Sequence, residues 1–174
     1  MVAASISAHG QAADDGRYDR QVALTGFGPA NQARLARTTV LVVGAGGLGS
    51  PVIALLAGAG LGRLTIVDPD VVSRSNLHRQ SLYTTADSGA PKAQLAAARA
   101  RAINPDCVVQ GQVRGFVAAD VAAADIVVDC TDQTALRYAI NRAALAVGKP
   151  VVWAAVAGWH GRLSVSQPVT GPCW

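Results

Sequence analysis

The sequence predicts an α/β chain built on a doubly wound, mainly parallel sheet with a partial antiparallel extension at its C-terminal end. Three observations predict it. Short apolar runs rich in Val, Ile and Leu alternate with Ala-rich stretches of helical length, the pattern of strands joined by crossover helices. A glycine turn, Gly44-Ala45-Gly46-Gly47-Leu48-Gly49, stands between one such run and the apolar stretch that follows it. The last two runs are separated only by Gly158–Gly161, too short for a crossover helix, so they pair antiparallel.

Taken in order, a short helix is expected at Pro29–Arg37 and the first strand at Thr38–Val43. A helix follows at Leu48–Ala59, stopped by Gly58, Gly60 and Gly62. The second strand is Arg63–Val67. The connection Asp68–Gly89 is too polar and irregular for a helix of its own, and its length marks a functional loop. The next helix is Pro91–Ile103, with Pro91 at N1, where its missing N–H costs nothing, and Asn104-Pro105 as its end. Strands three and four are Cys107–Val113 and Asp125–Asp129, followed by a helix over Gln133–Val147. After Gly148-Lys149-Pro150 come strand five, Val151–Val156, and the antiparallel run Arg162–Ser166. Strands one to three lie in the order 3-2-1 and strand four crosses to the other side of strand one, so a ligand is expected at the carboxyl ends of the strands, at that reversal.

The glycine turn has a mechanical reading that makes the arrangement Rossmann-like. Gly44 allows the tight turn, Gly46 lets backbone approach a pyrophosphate, and Gly49 lets the helix pack closely on the strand, with Gly47 a further candidate in the same cofactor-binding loop. The helix start offers unpaired N–H groups and the positive end of its dipole. Asp68 closes the second strand nineteen residues past Gly49, where a carboxylate can accept from a ribose hydroxyl. An adenine nucleotide is the expected ligand.

Composition bounds the rest. A chain of 174 residues is one domain with a real core. Met1–Gly16, rich in Ala, Ser and Gly, lacks a basic start and a continuous apolar core; it is expected as a mobile tail ahead of a domain at 17–174, not as a signal peptide. No apolar stretch approaches the roughly eighteen residues of a membrane span. Three scattered cysteines, Cys107, Cys130 and Cys173, make no disulfide framework, which fits a cytoplasmic protein. The net charge of +4 comes from thirteen arginines and two lysines, Lys92 and Lys149, against aspartates alone. The arginines form no basic run and aromatics are few, which argues against a nucleic-acid groove. A small anionic ligand or an acidic protein partner suits the charge.

The fingerprint and Asp68 serve a nicotinamide dehydrogenase as well as an ATP user. Charges outside the fingerprint favour ATP. Arg79 follows Asn76 and His78 in the long loop, and Lys92 opens the next helix, where a cation opposes the helix dipole and asks for an anion nearby. A triphosphate with a leaving pyrophosphate needs several cations. Asp132 offers a carboxylate for Mg²⁺ among those phosphates, although its position also suits a cap for the helix beginning near Gln133. His78 suits a loop packing role better than a base, Cys130 a small buried hydrophobe, and Trp153 and Trp159 packing on the sheet or an interface.

These residues come in a recognisable order. Arg17-Tyr18-Asp19-Arg20-Gln21, the Gly44–Pro51 loop, Ile66-Val67-Asp68-Pro69-Asp70 and Ser75-Asn76-Leu77-His78-Arg79-Gln80 are followed by Lys92-Ala93, Ile103-Asn104-Pro105, Asp129-Cys130-Thr131-Asp132 and Gly171-Pro172-Cys173. From Arg17 to Cys173 the chain resembles the ThiF/MoeB/HesA family, relatives of the ubiquitin-activating enzymes. The resemblance implies an adenylyltransferase that uses Mg-ATP to activate the C-terminal glycine of a ubiquitin-like sulfur carrier of the ThiS or MoaD type, for thiamine, molybdopterin or another sulfur pathway. It implies that Asp68 holds the ribose, that Asn76, Arg79 and Lys92 hold phosphates, and that Asp132 takes the magnesium, with Asp70 a further nucleotide-binding candidate. It also implies a homodimer in which Arg20 enters the partner's nucleotide site.

The chain departs from the family pattern in two places. Gln133 replaces the usual asparagine after the aspartate. Family members also continue past Gly-Pro-Cys with paired cysteines that bind structural zinc, whereas Cys173 is followed here by Trp174 alone. One thiolate cannot build a tetrahedral site, so no zinc is expected in this chain. The same ending leaves open a nucleotide-binding fragment without turnover, with a marginally stable edge strand near Arg162–Ser166.

Overall fold

The structure, a computed structural model, describes residues 16–168. The expected tail, apart from Gly16, and the Gly171-Pro172-Cys173 segment lie outside those residues. The described chain forms helices α1 (Asp19–Val22), α2 (Gly28–Leu35), α3 (Gly49–Gly58), α4 (Lys92–Ile103) and α5 (Thr134–Ala146). Strands β1 (Thr39–Val43), β2 (Arg63–Val67), β3 (Val108–Gln112), β4 (Ile126–Asp129), β5 (Val151–Ala157) and β6 (His160–Ser166) form one sheet. Its order is β3-β2-β1-β4-β5-β6, parallel except for β5 with β6. The predicted reversal beside β1 is therefore present.

β1 is central because its sequence is apolar on both faces: Val40 and Val42 pack toward α3 and α4, while Leu41 and Val43 pack toward α5. Alanines Ala93, Ala96, Ala97 and Ala100 line α4 where it meets the sheet. Their small size brings α4 so close that a Cβ on Gly111 would stand 2.1 Å from the Ala93 carbonyl. Beyond β1 the second face turns polar. Thr39, Arg63, Thr65, Gln110 and Gln112 line a concavity of about 420 Å³ there, closed on one side by Ala119, Asp120 and Ala123.

Differences from the sequence reading are local. Pro91 is the N-cap of α4, not its first residue, and the Asp68–Gly89 loop carries two single 3₁₀ turns, Arg74–Asn76 and Thr85–Asp87. A further 3₁₀ segment, Ala118–Ala123, was not expected; it buries Val121 under β1 and β4, doing the work of a crossover helix. β6 is the last strand of the described sheet, and it leaves Leu163 and Val165, with Val156 of β5, exposed on one face. Trp153 is buried as expected, but Trp159, at the β5–β6 turn, is fully exposed and packs on nothing in the sheet.

The segment ahead of the sheet is docked by neutral groups. The Asn104 amide donates to the Ala57 carbonyl and to the Tyr18 hydroxyl, both at 2.8 Å, and its oxygen accepts from Asp106 N–H. Gln21 donates to the carbonyl of Ala59, the C-cap of α3. α1 is thus fastened across the C-terminal ends of α3 and α4. Asn104→Ala removes three of these bonds at a fully buried position and should cost about 1–3 kcal/mol by urea unfolding. Tryptic cleavage after Arg20 should also accelerate, because α1 loses the Tyr18 anchor.

Candidate functional site

The site begins with the turn after β1. Gly44 has φ +93, and a Cβ there would lie 2.9 Å from the Cys130 carbonyl, so the turn presses directly on the end of β4. A Cβ on Gly49 would fall 2.0 Å from the Gly44 carbonyl. Both glycines are demanded by the protein's own packing. Gly46 and Gly47 are different. Neither has a positive φ, and a Cβ on Gly46 would meet nothing nearer than Gln80 Nε2 at 3.5 Å, while one on Gly47 would meet the Arg79 side chain at 3.3 Å. Two flexible side chains, not backbone, border them.

Three strand ends converge here. β1 and β2 are in register Val43 with Val67, and β1 and β4 Val43 with Asp129, so the residues following each strand start level. Asp68, 5% exposed, accepts Ala45 N–H at 2.7 Å on one oxygen and Asp70 N–H at 2.8 Å on the other. Asp70 in turn accepts Lys92 N–H on its carbonyl and the Lys92 ammonium on its carboxylate, both at 2.9 Å. Lys92 is buried and Asp70 largely exposed. The anion that a lysine in a first turn requires is thus supplied within the chain, which corrects the expectation that its placement alone asks for an outside ligand.

Arg79 lies over Gly47 and donates to Asn76 Oδ1 at 3.1 Å. Its guanidinium meets no carboxylate among the described residues, leaving an exposed cation over the backbone of the turn. On the β4 side, Asp129 is fully engaged: one oxygen accepts Thr131 N–H and hydroxyl, and the other accepts Arg137 Nε at 3.0 Å. Arg137 also donates to the carbonyls of Thr131 and Ala154 and stacks over Trp153 at 4.8 Å. This clamp fixes the loop that carries Asp132. Asp132 itself is exposed and caps nothing: Gln133 is the N-cap of α5, without a side-chain bond to the helix.

Arg20 stands apart from every other candidate. It is exposed on α1, which docks at the C-terminal ends of α3 and α4, whereas the turn meets the N-terminal end of α3. α3 has ten residues, so about 15 Å of helix separates the two ends. His78 is exposed, as a loop residue.

Residues that the sequence reading passed over complete the site's support. The buried Tyr83 hydroxyl donates to the Ala45 carbonyl at 2.7 Å, and Ser50 Oγ donates to the Gly46 carbonyl at 2.7 Å. Burial, reinforced by the Asp68 carboxylate, pushes the Tyr83 phenol well above its ordinary range. Burial likewise pushes the Cys130 thiol up to about 12, with Asp129 adding to the shift and Arg137 opposing it, so Cys130 is the small buried hydrophobe expected. Cys107 is buried as well, and among the described residues no three His, Cys or Asp side chains gather as a metal cluster. Cys173 lies outside them.

The contrast between the glycines is testable by urea unfolding. Gly46→Ala should leave stability within about 1 kcal/mol of the parent, because the backbone there suits any residue. Gly49→Ala should cost about 3 kcal/mol or more, because the new methyl meets backbone.

The chain has recognisable relatives among known proteins. A sulfur carrier protein adenylyltransferase from Thermus thermophilus is 43% identical over 167 residues, covering 91% of this chain and 62% of that protein. A sulfur carrier protein ThiS adenylyltransferase from Escherichia coli is 42% identical over 156 residues, covering 87% of this chain and 62% of that protein. The chain therefore spans about three-fifths of the length of these curated relatives. In fold it is similar to the crystal structure of E. coli MccB with MccA-N7isoASN, at a TM-score of 0.80 and 24% identity over 88% of this chain and 48% of that one. The ThiF family matches residues 18–174, from the α1 segment that carries Arg20 through the glycine turn and all six strands, and the chain belongs to that family.

Proposed function

We propose that this chain is an ATP-dependent adenylyltransferase that activates the C-terminal glycine of a ubiquitin-like sulfur-carrier protein as an acyl-adenylate. The observation that carries the reading is Arg79 laid over Gly47 at the N-terminal end of α3: a free cation above a backbone cradle and a helix start is suited to a polyphosphate. The relatives named above are sulfur-carrier adenylyltransferases, which supports the reaction class.

In this reading residues 17–174 act as the nucleotide-binding domain. The ribose lies by Asp68, whose two oxygens each keep a lone pair beyond the N–H they already accept. Phosphates rest on the backbone of Gly44, Gly46, Gly47 and Gly49, with Asn76, Arg79 and Lys92 around them. Asp70 holds the Lys92 ammonium in place at 2.9 Å. Asp132 has the donor chemistry for Mg²⁺, which takes one or two carboxylates and completes its shell with phosphate oxygens and water. When bound, the ion supplies charge neutralisation across the phosphates.

The carrier's terminal carboxylate, ionised at neutral pH, attacks the α-phosphorus. The bond from that phosphorus to its bridging oxygen breaks, and pyrophosphate leaves with the electron pair. No proton moves, so no general base is required, in keeping with Tyr83 and Cys130 both being held neutral beside the turn. Arg79 and Lys92 stabilise the charge that builds on the leaving group, and the backbone of the turn positions it. Arg20, too far from its own turn, serves a second copy of the chain, which makes the working unit a homodimer. The setting is cytoplasmic, where ATP and the carrier meet; among the described residues no helix is long and apolar enough to cross a membrane.

Isothermal calorimetry tests the first half of this reading. The chain should bind Mg-ATP more tightly than NAD, and Lys92→Ala should weaken ATP by about 1.5–3 kcal/mol, the worth of a charged hydrogen bond. Tighter NAD binding would return the chain to the dehydrogenase reading.

The second half rests on Arg20. Pyrophosphate exchange with a carrier ending in Gly-Gly should be lost in Arg20→Ala and in Asp132→Ala homodimers, yet partly restored when the two variants are mixed, because one site per mixed dimer is intact. Sedimentation finding only monomers with ATP present would refute the arrangement.

A further inference from the structure

We propose that Gln80 is an additional nucleotide-binding residue, whose side-chain amide donates from Nε2 to a phosphate oxygen seated on Gly46. The inference rests on the ATP reading above and adds a contact to it.

Gln80 directly follows Arg79. Its backbone N–H donates to the Asn76 carbonyl at 3.1 Å, closing the same turn that presents Arg79 to the glycine loop. The residue is 2% exposed, an unusual depth for a polar side chain on a loop. Its Nε2 stands 3.5 Å from the place a Cβ on Gly46 would occupy, so the amide borders the space that this glycine leaves. Its Oε1 is buried and has no hydrogen-bond partner.

A buried amide with an unpaired atom destabilises the fold, and an apolar side chain of similar length would fill the same volume without that cost. Interchanging the amide oxygen and nitrogen moves the unpaired atom from acceptor to donor without supplying it a partner. Packing therefore gives no reason for an amide here. A phosphate on Gly46 gives one for its nitrogen, which borders that space and makes no hydrogen bond among the described residues, while Oε1 stays unpaired. Around Gly46 lie the N-terminal end of α3 and, over the adjoining Gly47, the guanidinium of Arg79, both of which favour an anion. A neutral N–H donor adds to that set without the expense of a buried charge. Gly46 keeps the approach open: its own backbone does not require glycine, and its missing side chain lets a phosphate oxygen reach the Gln80 amide.

Two variants test this, Gln80→Met and Gln80→Glu, each measured by urea unfolding and by calorimetric titration with Mg-ATP and with adenosine. Gln80→Met should be at least as stable as the parent but bind ATP about ten-fold more weakly, while adenosine, which has no phosphate, binds unchanged. Gln80→Glu should lose more ATP affinity than Gln80→Met, because a carboxylate faces the phosphate, and again spare adenosine. Parental ATP affinity in Gln80→Met overturns the proposal, and equal losses for ATP and adenosine overturn the phosphate assignment. If Gln80→Met does not fold, the ATP-to-adenosine ratio of Gln80→Glu decides alone. A parent chain that binds no ATP defeats the functional reading and this contact together, whereas a parent that binds ATP with an indifferent Gln80 defeats only the contact.

Discussion

Asp68 accepts one backbone N–H on each carboxylate oxygen, Ala45 at 2.7 Å and Asp70 at 2.8 Å, and so ties the turn after β1 to the turn after β2. A carboxylate at this depth would be costly without such donors. With them it becomes the fixed point from which the neighbouring groups are hung. Asp70, held by its N–H, accepts both the backbone and the ammonium of Lys92 and thereby sets where α4 starts. Tyr83 ties the loop between them back to Ala45. The groups that would meet a nucleotide are therefore joined through one carboxylate, and shape at the turn is coupled to burial beneath it.

A second clamp does the same for the β4 side. Asp129 and Arg137 form a nearly fully buried pair, and such pairs are retained only where every lone pair and proton finds a partner. Here Thr131 takes the remaining carboxylate oxygen, while the guanidinium also reaches two carbonyls and the face of Trp153. The result is a stiff loop carrying one exposed, unengaged carboxylate, Asp132. Rigid backbone with a free acid at its tip is the arrangement that can present a charge to a ligand without first breaking an internal bond.

Much of this was legible in the sequence, for identifiable reasons. Strand order followed from the alternation of apolar runs and the glycine turn, and the arrival at that turn of Asp68 and of the loop that begins at Cys130 followed from the strand order. The packing roles of Gly44 and Gly49 were readable because a tight turn and a close helix leave no room for a Cβ. The partners of charged residues were not readable. Lys92 with Asp70 and Arg137 with Asp129 are pairs across loops whose paths no periodicity specifies. The 3₁₀ segment at Ala118–Ala123 was missed because its alanines carry no helical stripe, only a single buried valine. Tyr83, Ser50 and Gln80 were missed for a related reason: a lone polar residue among apolar neighbours shows nothing of its hydrogen bonds until the fold closes around it.

The division of the chain's charges follows from the chemistry proposed for it. A carboxylate nucleophile arrives ionised and its leaving group is a polyphosphate, so the fold need supply only position and positive potential. Titratable groups beside the turn can then be spent on structure, as Tyr83 and Cys130 are, both held neutral by burial. Cations must instead be kept off the internal ion pairs or held in them reversibly. Arg79 meets the first condition, bonded to a neutral amide, and Lys92 the second, paired with an aspartate that is itself largely in water. Arg20 satisfies neither within one chain, because the neutral anchors Tyr18 and Gln21 fasten its helix at the wrong end of α3. The anchors make the guanidinium unnecessary to the fold, and the length of α3 makes it unusable in its own site. Both facts leave its charge free for the role in a second copy proposed above.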